Sequence, residues 1–160
     1  FDFWQKGLSS FTGLPHRLKF VKEVSGVRFY DDSIATTPGS AIAALNAFSQ
    51  PKILILGGSN KGADLSELIA KISNSSESEL RKVILMGAES SKLAQKLTQA
   101  GFERFVNLGQ GTNMQEVVKT SFENAQNGDV IILSPAHASF DMFKSYADRG
   151  EQFIENVNLL

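Results

Sequence analysis

The sequence contains no cysteine. That excludes a disulfide framework, a zinc–thiolate centre and a cysteine nucleophile, and it fits a reducing compartment. Histidine is scarce, with His16 and His137 the only two, so imidazoles do not make up a zinc ligand set either. No excess of one charge is present: 16 Lys plus Arg stand against 17 Asp plus Glu, for a net charge of −1. Nucleic-acid binders carry a basic excess, so no nucleic-acid partner is expected. No apolar run approaches the roughly 20 residues that span a bilayer, and no signal-peptide pattern opens the chain; no membrane partner is expected. The opening Phe1-Asp2-Phe3-Trp4 lacks an initiator Met, which reads as part of something longer.

What is present is enough for one domain: 160 residues bury a sizeable core. The organising stretch is Lys52-Ile-Leu-Ile-Leu-Gly57-Gly58-Ser-Asn-Lys61-Gly62-Ala-Asp64. Its unbroken aliphatic run is that of a strand buried on both faces of a parallel sheet. Two glycines then permit a tight turn or close approach to a ligand, and Lys61 supplies a cation. Asp64 and Glu67, ahead of Leu65, Leu68, Ile69 and Ile72 at helical spacing, predict an N-cap at Asp64 and an amphipathic helix. Strand, glycine loop and helix start together suit an anion.

Before this centre, Phe1, Phe3, Trp4, Leu8 and Phe11 are spaced as one face of a short helix stopped by Gly13 and Pro15; residues 1–14 are expected to be a remnant of an interdomain segment, with the domain proper at 15–160. Arg17 to Tyr30, turning at Gly26, reads as a hairpin. Thr37 and Pro38 fit N-cap and first-turn positions of a helix with Ala41, Ala44, Leu45 and Phe48 inward. Lys82 to Met86, Phe105 to Leu108 and Val130 to Leu133 read as further strands. Leu93 and Leu97 mark one intervening helix. Thr112 and Gln115 predict a capping box for another, with Met114, Val117, Val118, Ser121 and Ala125 on one face. A last helix is expected from about Ser139 towards Asn156. Alternation of this kind predicts an α/β fold: a Rossmann-like open, mostly parallel sheet, helices on both faces, and an N-terminal hairpin.

Ligands of such sheets sit beyond the carboxyl ends of the strands. Three loops should therefore converge: Asp31–Thr37, Gly57–Gly62 and Ser134–Ser139. They carry Asp32, Ser33, Thr36, Lys61, Ser134, His137 and Ser139, a set suited to an anionic or zwitterionic small ligand; the competing reading is a solvated lysine beside helix-capping hydroxyls. Sharper motifs fail. No Gly-Lys-Ser/Thr follows Gly57 at Walker A spacing, and no Gly-x-Ser-x-Gly elbow exists. Gly109-Gln-Gly111-Thr-Asn-Met114 has Met where a dinucleotide fingerprint needs its third glycine.

Five ordered stretches carry a resemblance: Gly13-Leu-Pro-His-Arg17; Tyr30-Asp-Asp-Ser-Ile-Ala-Thr36; Gly57-Gly58-Ser-Asn-Lys61-Gly62-Ala-Asp64; Leu133-Ser-Pro-Ala-His-Ala-Ser139-Phe-Asp141; and Arg149-Gly150-Glu151. In this order and spacing the chain resembles the C-terminal domain of the Mur ligases, most closely of members that add D-glutamate to UDP-N-acetylmuramoyl-L-alanine. The equivalent domain of another Mur ligase or of a folylpolyglutamate synthase is the alternative, and a free-standing small-ligand module is a third.

The resemblance implies an ATP-dependent acid–D-amino-acid ligase of cytoplasmic peptidoglycan synthesis, and with it cell shape and division. ATP would phosphorylate a carboxylate, and the amine of D-glutamate would attack the acyl phosphate. ATP and magnesium would be bound mainly by a central domain that this one contacts, so the chain alone is expected to be inactive. No metal ligand is expected here. By resemblance, Thr36, Lys61, Ser139, Phe140 and Tyr146 hold D-glutamate, with Lys61 on its side-chain carboxylate. Arg17 would reach the ATP phosphates and Asp32 the ribose. Two positions depart from the family: Ile34 stands where many members have lysine, and His137 where many have cysteine. His137 is then either a structural loop residue or a titratable group beside the glutamate.

Overall fold

β3 (Lys52–Gly57) is buried at all six positions. Its side chains alternate: Leu54 and Leu56 enter one apolar layer, Ile53 and Ile55 the other, so the period of two divides one aliphatic run between both faces of the sheet. The computed structural model describes residues 13–60 and 62–160; Lys61, and the aromatic face expected within residues 1–12, lie outside them.

Among the described residues, β3 is joined by β1 (Lys19–Val24), β2 (Val27–Asp31), β4 (Leu80–Met86), β5 (Phe105–Asn107) and β6 (Val130–Leu133). The strands lie in the order β1-β2-β6-β3-β4-β5. β1 and β2 form the expected antiparallel hairpin, and every other pairing is parallel. The chain leaves β2, skips a place to β3, runs outward through β4 and β5, and returns to fill the gap with β6. The loops after β2, β6 and β3 thereby meet at one edge, where the winding changes direction.

Helices cover both faces. α1 (Pro38–Asn46), α2 (Ser66–Ser73) and α3 (Ser90–Gln99) place Ala41, Leu45, Leu68, Ile72, Leu93 and Leu97 in the layer with Leu54 and Leu56. α4 (Met114–Glu123) and α5 (Tyr146–Asn158) place Met114, Val117, Val118, Phe153 and Val157 in the other. α1 starts as its sequence predicts, with Thr37 accepting from the Ser40 amide and Pro38 in the first turn.

Three other starts differ from expectation. Asp64 is not the N-cap of α2, which is Leu65; its carboxylate instead accepts from the Ser66 amide and hydroxyl at 2.9 and 2.6 Å. Asn113, not Thr112, caps α4 by accepting from the Glu116 amide, while the Thr112 hydroxyl donates to Glu116 Oε2 at 2.8 Å. α5 begins at Tyr146 behind an Ser145 N-cap rather than near Ser139. The residues between are bent by tertiary contacts: Asp141 Oδ2 reaches across to accept from the Ala88 amide at 2.8 Å, a bond that a helix begun at Ser139 would have to re-route.

Candidate functional site

Backbone hydrogen bonds fasten the three edge loops together. The Ala136 amide donates to Ala35 O at 2.9 Å, the Gly57 amide to Pro135 O at 3.0 Å, and Ser59 and Ala138 exchange a pair at 2.9 and 3.2 Å. Gly58 makes the last contact possible. Its φ is +137°, and a Cβ there would collide with Ala138 O; only glycine permits both the conformation and the approach.

A cavity of about 400 Å³ opens over this junction. The loop after β2 contributes Thr36 and Thr37, and the loop after β3 contributes Ser59, Asn60 and Ala63. The loop after β6 contributes residues 136–140, and Tyr146 closes the wall from the start of α5. Thr36, Ser139, Phe140 and Tyr146, named together from resemblance, therefore line one cavity although 110 positions separate the first from the last. Lys61, the fifth, lies outside the described residues. Its neighbour Asn60 accepts from the Gly62 and Ala63 amides at 2.8 and 3.1 Å, an Asx-type turn.

Arg17 and Asp32 sit elsewhere. They line a separate cavity of about 180 Å³, with Leu18, Ile34, Ala35 and Ser40. Asp32 is nearly buried, and its carboxylate accepts from the Leu18 amide at 3.1 Å and the Ser134 hydroxyl at 2.8 Å. Burial pushes its pKa up despite those two bonds, which pull it down. Arg17 is exposed. Ile34 gives this cavity an apolar wall where a lysine would give a cation.

Beneath the loops runs a buried polar network. Arg149, on α5, is fully buried. Its guanidinium donates to Ser33 Oγ at 2.9 Å, Ser33 O at 2.8 Å and His137 O at 3.1 Å. Ser33 Oγ in turn donates to Tyr146 O at 2.7 Å. Desolvation lowers the Arg149 pKa to about 10, against the opposing pull of Asp141 and Asp31. His16 Nδ1 lies 2.6 Å from Asp31 Oδ2, and Gly150 leaves room for that pair, since a Cβ would fall on it. Ser33 and Ser134, expected among the ligand-facing hydroxyls, are thus engaged within the protein and fully buried.

His137 is buried in the cavity wall. Its Nδ1 lies 3.0 Å from Pro135 O, and burial lowers its pKa, so the ring is held neutral. Among the described residues no group of three or more His, Asp or Glu is placed to hold a metal ion. No described helix is long and apolar enough to cross a membrane.

A family model, Mur ligase, glutamate ligase domain, matches residues 16–137. The chain belongs to that family. It is 42% identical over 159 residues to the UDP-N-acetylmuramoylalanine–D-glutamate ligase of Caldicellulosiruptor bescii, covering 99% of this chain and 33% of that relative. It is 45% identical over 153 residues to the enzyme of that name from Nitrosomonas europaea, covering 96% and 31%. The chain thus spans about a third of the length of these relatives. Solved structures agree on the fold. A MurF ligase from Thermotoga maritima in complex with ADP superposes with a TM-score of 0.57 at 19% identity, over 93% of this chain and 32% of that one. The UDP-N-acetylmuramoylalanyl-D-glutamyl-2,6-diaminopimelate–D-alanyl-D-alanyl ligase from Acinetobacter baumannii does so with 0.60 at 16%, over 96% and 31%.

Sequence reasoning passed over three residues of this Mur ligase domain that the structure makes prominent. Ser59 and Asn60 line the cavity; the Asn-x-Gly spacing was the available signal for the turn. Arg149 stands in one of the stretches that carry the resemblance, but nothing in the sequence assigned it a role, because a charged residue in the first turns of a helix reads as solvent-facing until the loops that cover it are in place.

Proposed function

We propose that the chain is the amino-acid-binding domain of an ATP-dependent ligase that joins D-glutamate to UDP-N-acetylmuramoyl-L-alanine in cytoplasmic peptidoglycan synthesis. The observation that carries this reading is the shared cavity of Thr36, Ser139, Phe140 and Tyr146, supplied by two loops and a helix start, together with relatives of that activity at 42% and 45% identity.

Hydroxyls of Thr36 and Ser139 donate to the carboxylates of D-glutamate, Lys61 pairs with the side-chain carboxylate, and Phe140 and Tyr146 cover the carbon chain. The neighbouring cavity faces ATP, with the Arg17 guanidinium on phosphate and Asp32 accepting from the ribose. ATP supplies the activated phosphoryl group that makes a carboxylate susceptible to an amine, and magnesium and most of the nucleotide are held by a central domain that this one contacts. This domain's own part is to bind and orient the amino acid.

NMR titration of the 160-residue chain with D-glutamate, and L-glutamate as control, tests the reading. Shifts centred on Thr36, Lys61 and Ser139, larger for the D isomer, are expected at millimolar ligand, because a partial site binds weakly. Equal responses to both isomers, or shifts spread away from the cavity, would contradict it.

A further inference from the structure

We propose that His16 is a positioning residue of the amino-acid cavity: anchored on Asp31, its ring holds the Tyr146 side chain where Tyr146 covers the ligand. The proposal rests on reading that cavity as an amino-acid site.

The anchor lies in the interior. His16 Nδ1 is 2.6 Å from Asp31 Oδ2, and a carboxylate accepts, so Nδ1 carries the hydrogen. Asp31 is fully buried at the end of β2, and its other oxygen accepts from the Ser33 amide at 2.9 Å. The His16 carbonyl accepts from the Ile34 amide at 3.2 Å. On the side of α5, Gly150 stands where a Cβ would collide with the imidazole. The backbone at His16 is left-handed, with φ +60°, a conformation that a residue with a side chain adopts at a cost. Fixed at ring and carbonyl, and with Gly150 giving it room, the imidazole has one orientation.

In that orientation it meets the Tyr146 ring edge to face, with centroids 6.1 Å apart and planes at 80°, a favoured arrangement of aromatic rings. Tyr146 is the first residue of α5, and its carbonyl accepts from Ser33 Oγ at 2.7 Å, so its backbone is held. Its side chain lines the cavity and is 41% exposed. A ring exposed to that extent has little protein around it to select a rotamer, and a side chain that must be ordered on binding costs affinity. His16 supplies the missing constraint before the ligand arrives. The competing reading is that the His16–Asp31 pair only fastens the chain to the end of β2, with the Tyr146 contact incidental.

His16→Asn separates the two. It keeps a short N–H donor for Asp31 and tolerates a left-handed backbone, but removes the ring that Tyr146 meets. D-glutamate is titrated into the 160-residue chain and into His16→Asn, each with Tyr146 intact and with Tyr146→Ala. We expect His16→Asn to weaken binding about fivefold where Tyr146 is intact and to add nothing in the Tyr146→Ala background. In the unaltered chain, the nuclear Overhauser contact between the two rings should persist at saturating D-glutamate, a measurement that decides the matter even where the variant does not fold. Unchanged affinity in a folded His16→Asn, an equal loss in the Tyr146→Ala background, or disappearance of the ring contact on saturation would overturn the role of His16 and leave the amino-acid site standing. No response of the unaltered cavity to D-glutamate would overturn both.

Discussion

Arg149 carries a charge with no access to water, and burial opposes that charge strongly enough to bring its pKa to about 10 against the raising influence of Asp141 and Asp31. At neutral pH the guanidinium stays ionised, so the cost of desolvation is borne by the folded state and offset by donation to Ser33 Oγ, Ser33 O and His137 O. Those acceptors belong to the loops after β2 and β6, so one side chain spaces two walls of the cavity. We expect Arg149→Met, which keeps the apolar volume and removes the donors, to lose about 3 kcal/mol in urea unfolding. A loss below roughly 1 kcal/mol would mean that the clamp contributes little beyond packing. Of the cavity residues, Thr36, His137 and Ser139 were legible in the sequence because their loops follow recognisable strands, while Phe140 and Tyr146 came from the resemblance alone. The clamp was not, because its partners are two main-chain carbonyls and a serine hydroxyl 116 residues away, which leave no mark on the sequence around Arg149.

Among elements, the junction of the β3 and β6 loops is the least tolerant of change. Gly58 combines a φ of +137° with backbone contact at Ala138 O, so Gly58→Ala adds strain and a clash that no flexible side chain can relieve. We expect about 2 kcal/mol of destabilisation, and a weakened D-glutamate response because the Ser59–Ala138 pair must open. Unchanged stability would show that the loops can part without consequence. The strands were readable because parallel-sheet burial demands unbroken aliphatic runs, and Lys52–Gly57 and Val130–Leu133 are such runs. Helix starts were less so. At Asp64 and Thr112 a capping-type side chain sits one residue before the true cap, and both still make local hydrogen bonds, so the polar cluster was visible and its register was not. The delayed start of α5 has two origins: the Ser145 hydroxyl accepts from the Asp148 amide and sets the cap there, and ahead of it Asp141 reaches across to the Ala88 amide.

For the whole molecule the decisive comparison is between what the edge offers and what amide ligation requires. The proposed reaction gathers a nucleotide triphosphate, a UDP-linked carboxylate and a dicarboxylic amino acid, so cations must neutralise three anionic species while they are aligned. The described residues bring Arg17 to one cavity and no metal-holding cluster to either. Lys61 adds one more charge on the loop after β3. On the proposed reading that set serves to bind an amino acid and touch a phosphate and leaves phosphoryl transfer to the rest of the ligase; the chain spans about a third of its curated relatives. We therefore expect the 160-residue chain, supplied with ATP, magnesium, D-glutamate and UDP-N-acetylmuramoyl-L-alanine, to release no phosphate above the protein-free rate, while the same sample still shows the D-glutamate shifts at Thr36 and Ser139. Binding without turnover would locate amino-acid recognition here and phosphoryl chemistry in the rest of the ligase. Phosphate release that depends on D-glutamate would instead mean that this domain assembles a complete active site, and the division of labour proposed above would have to be abandoned.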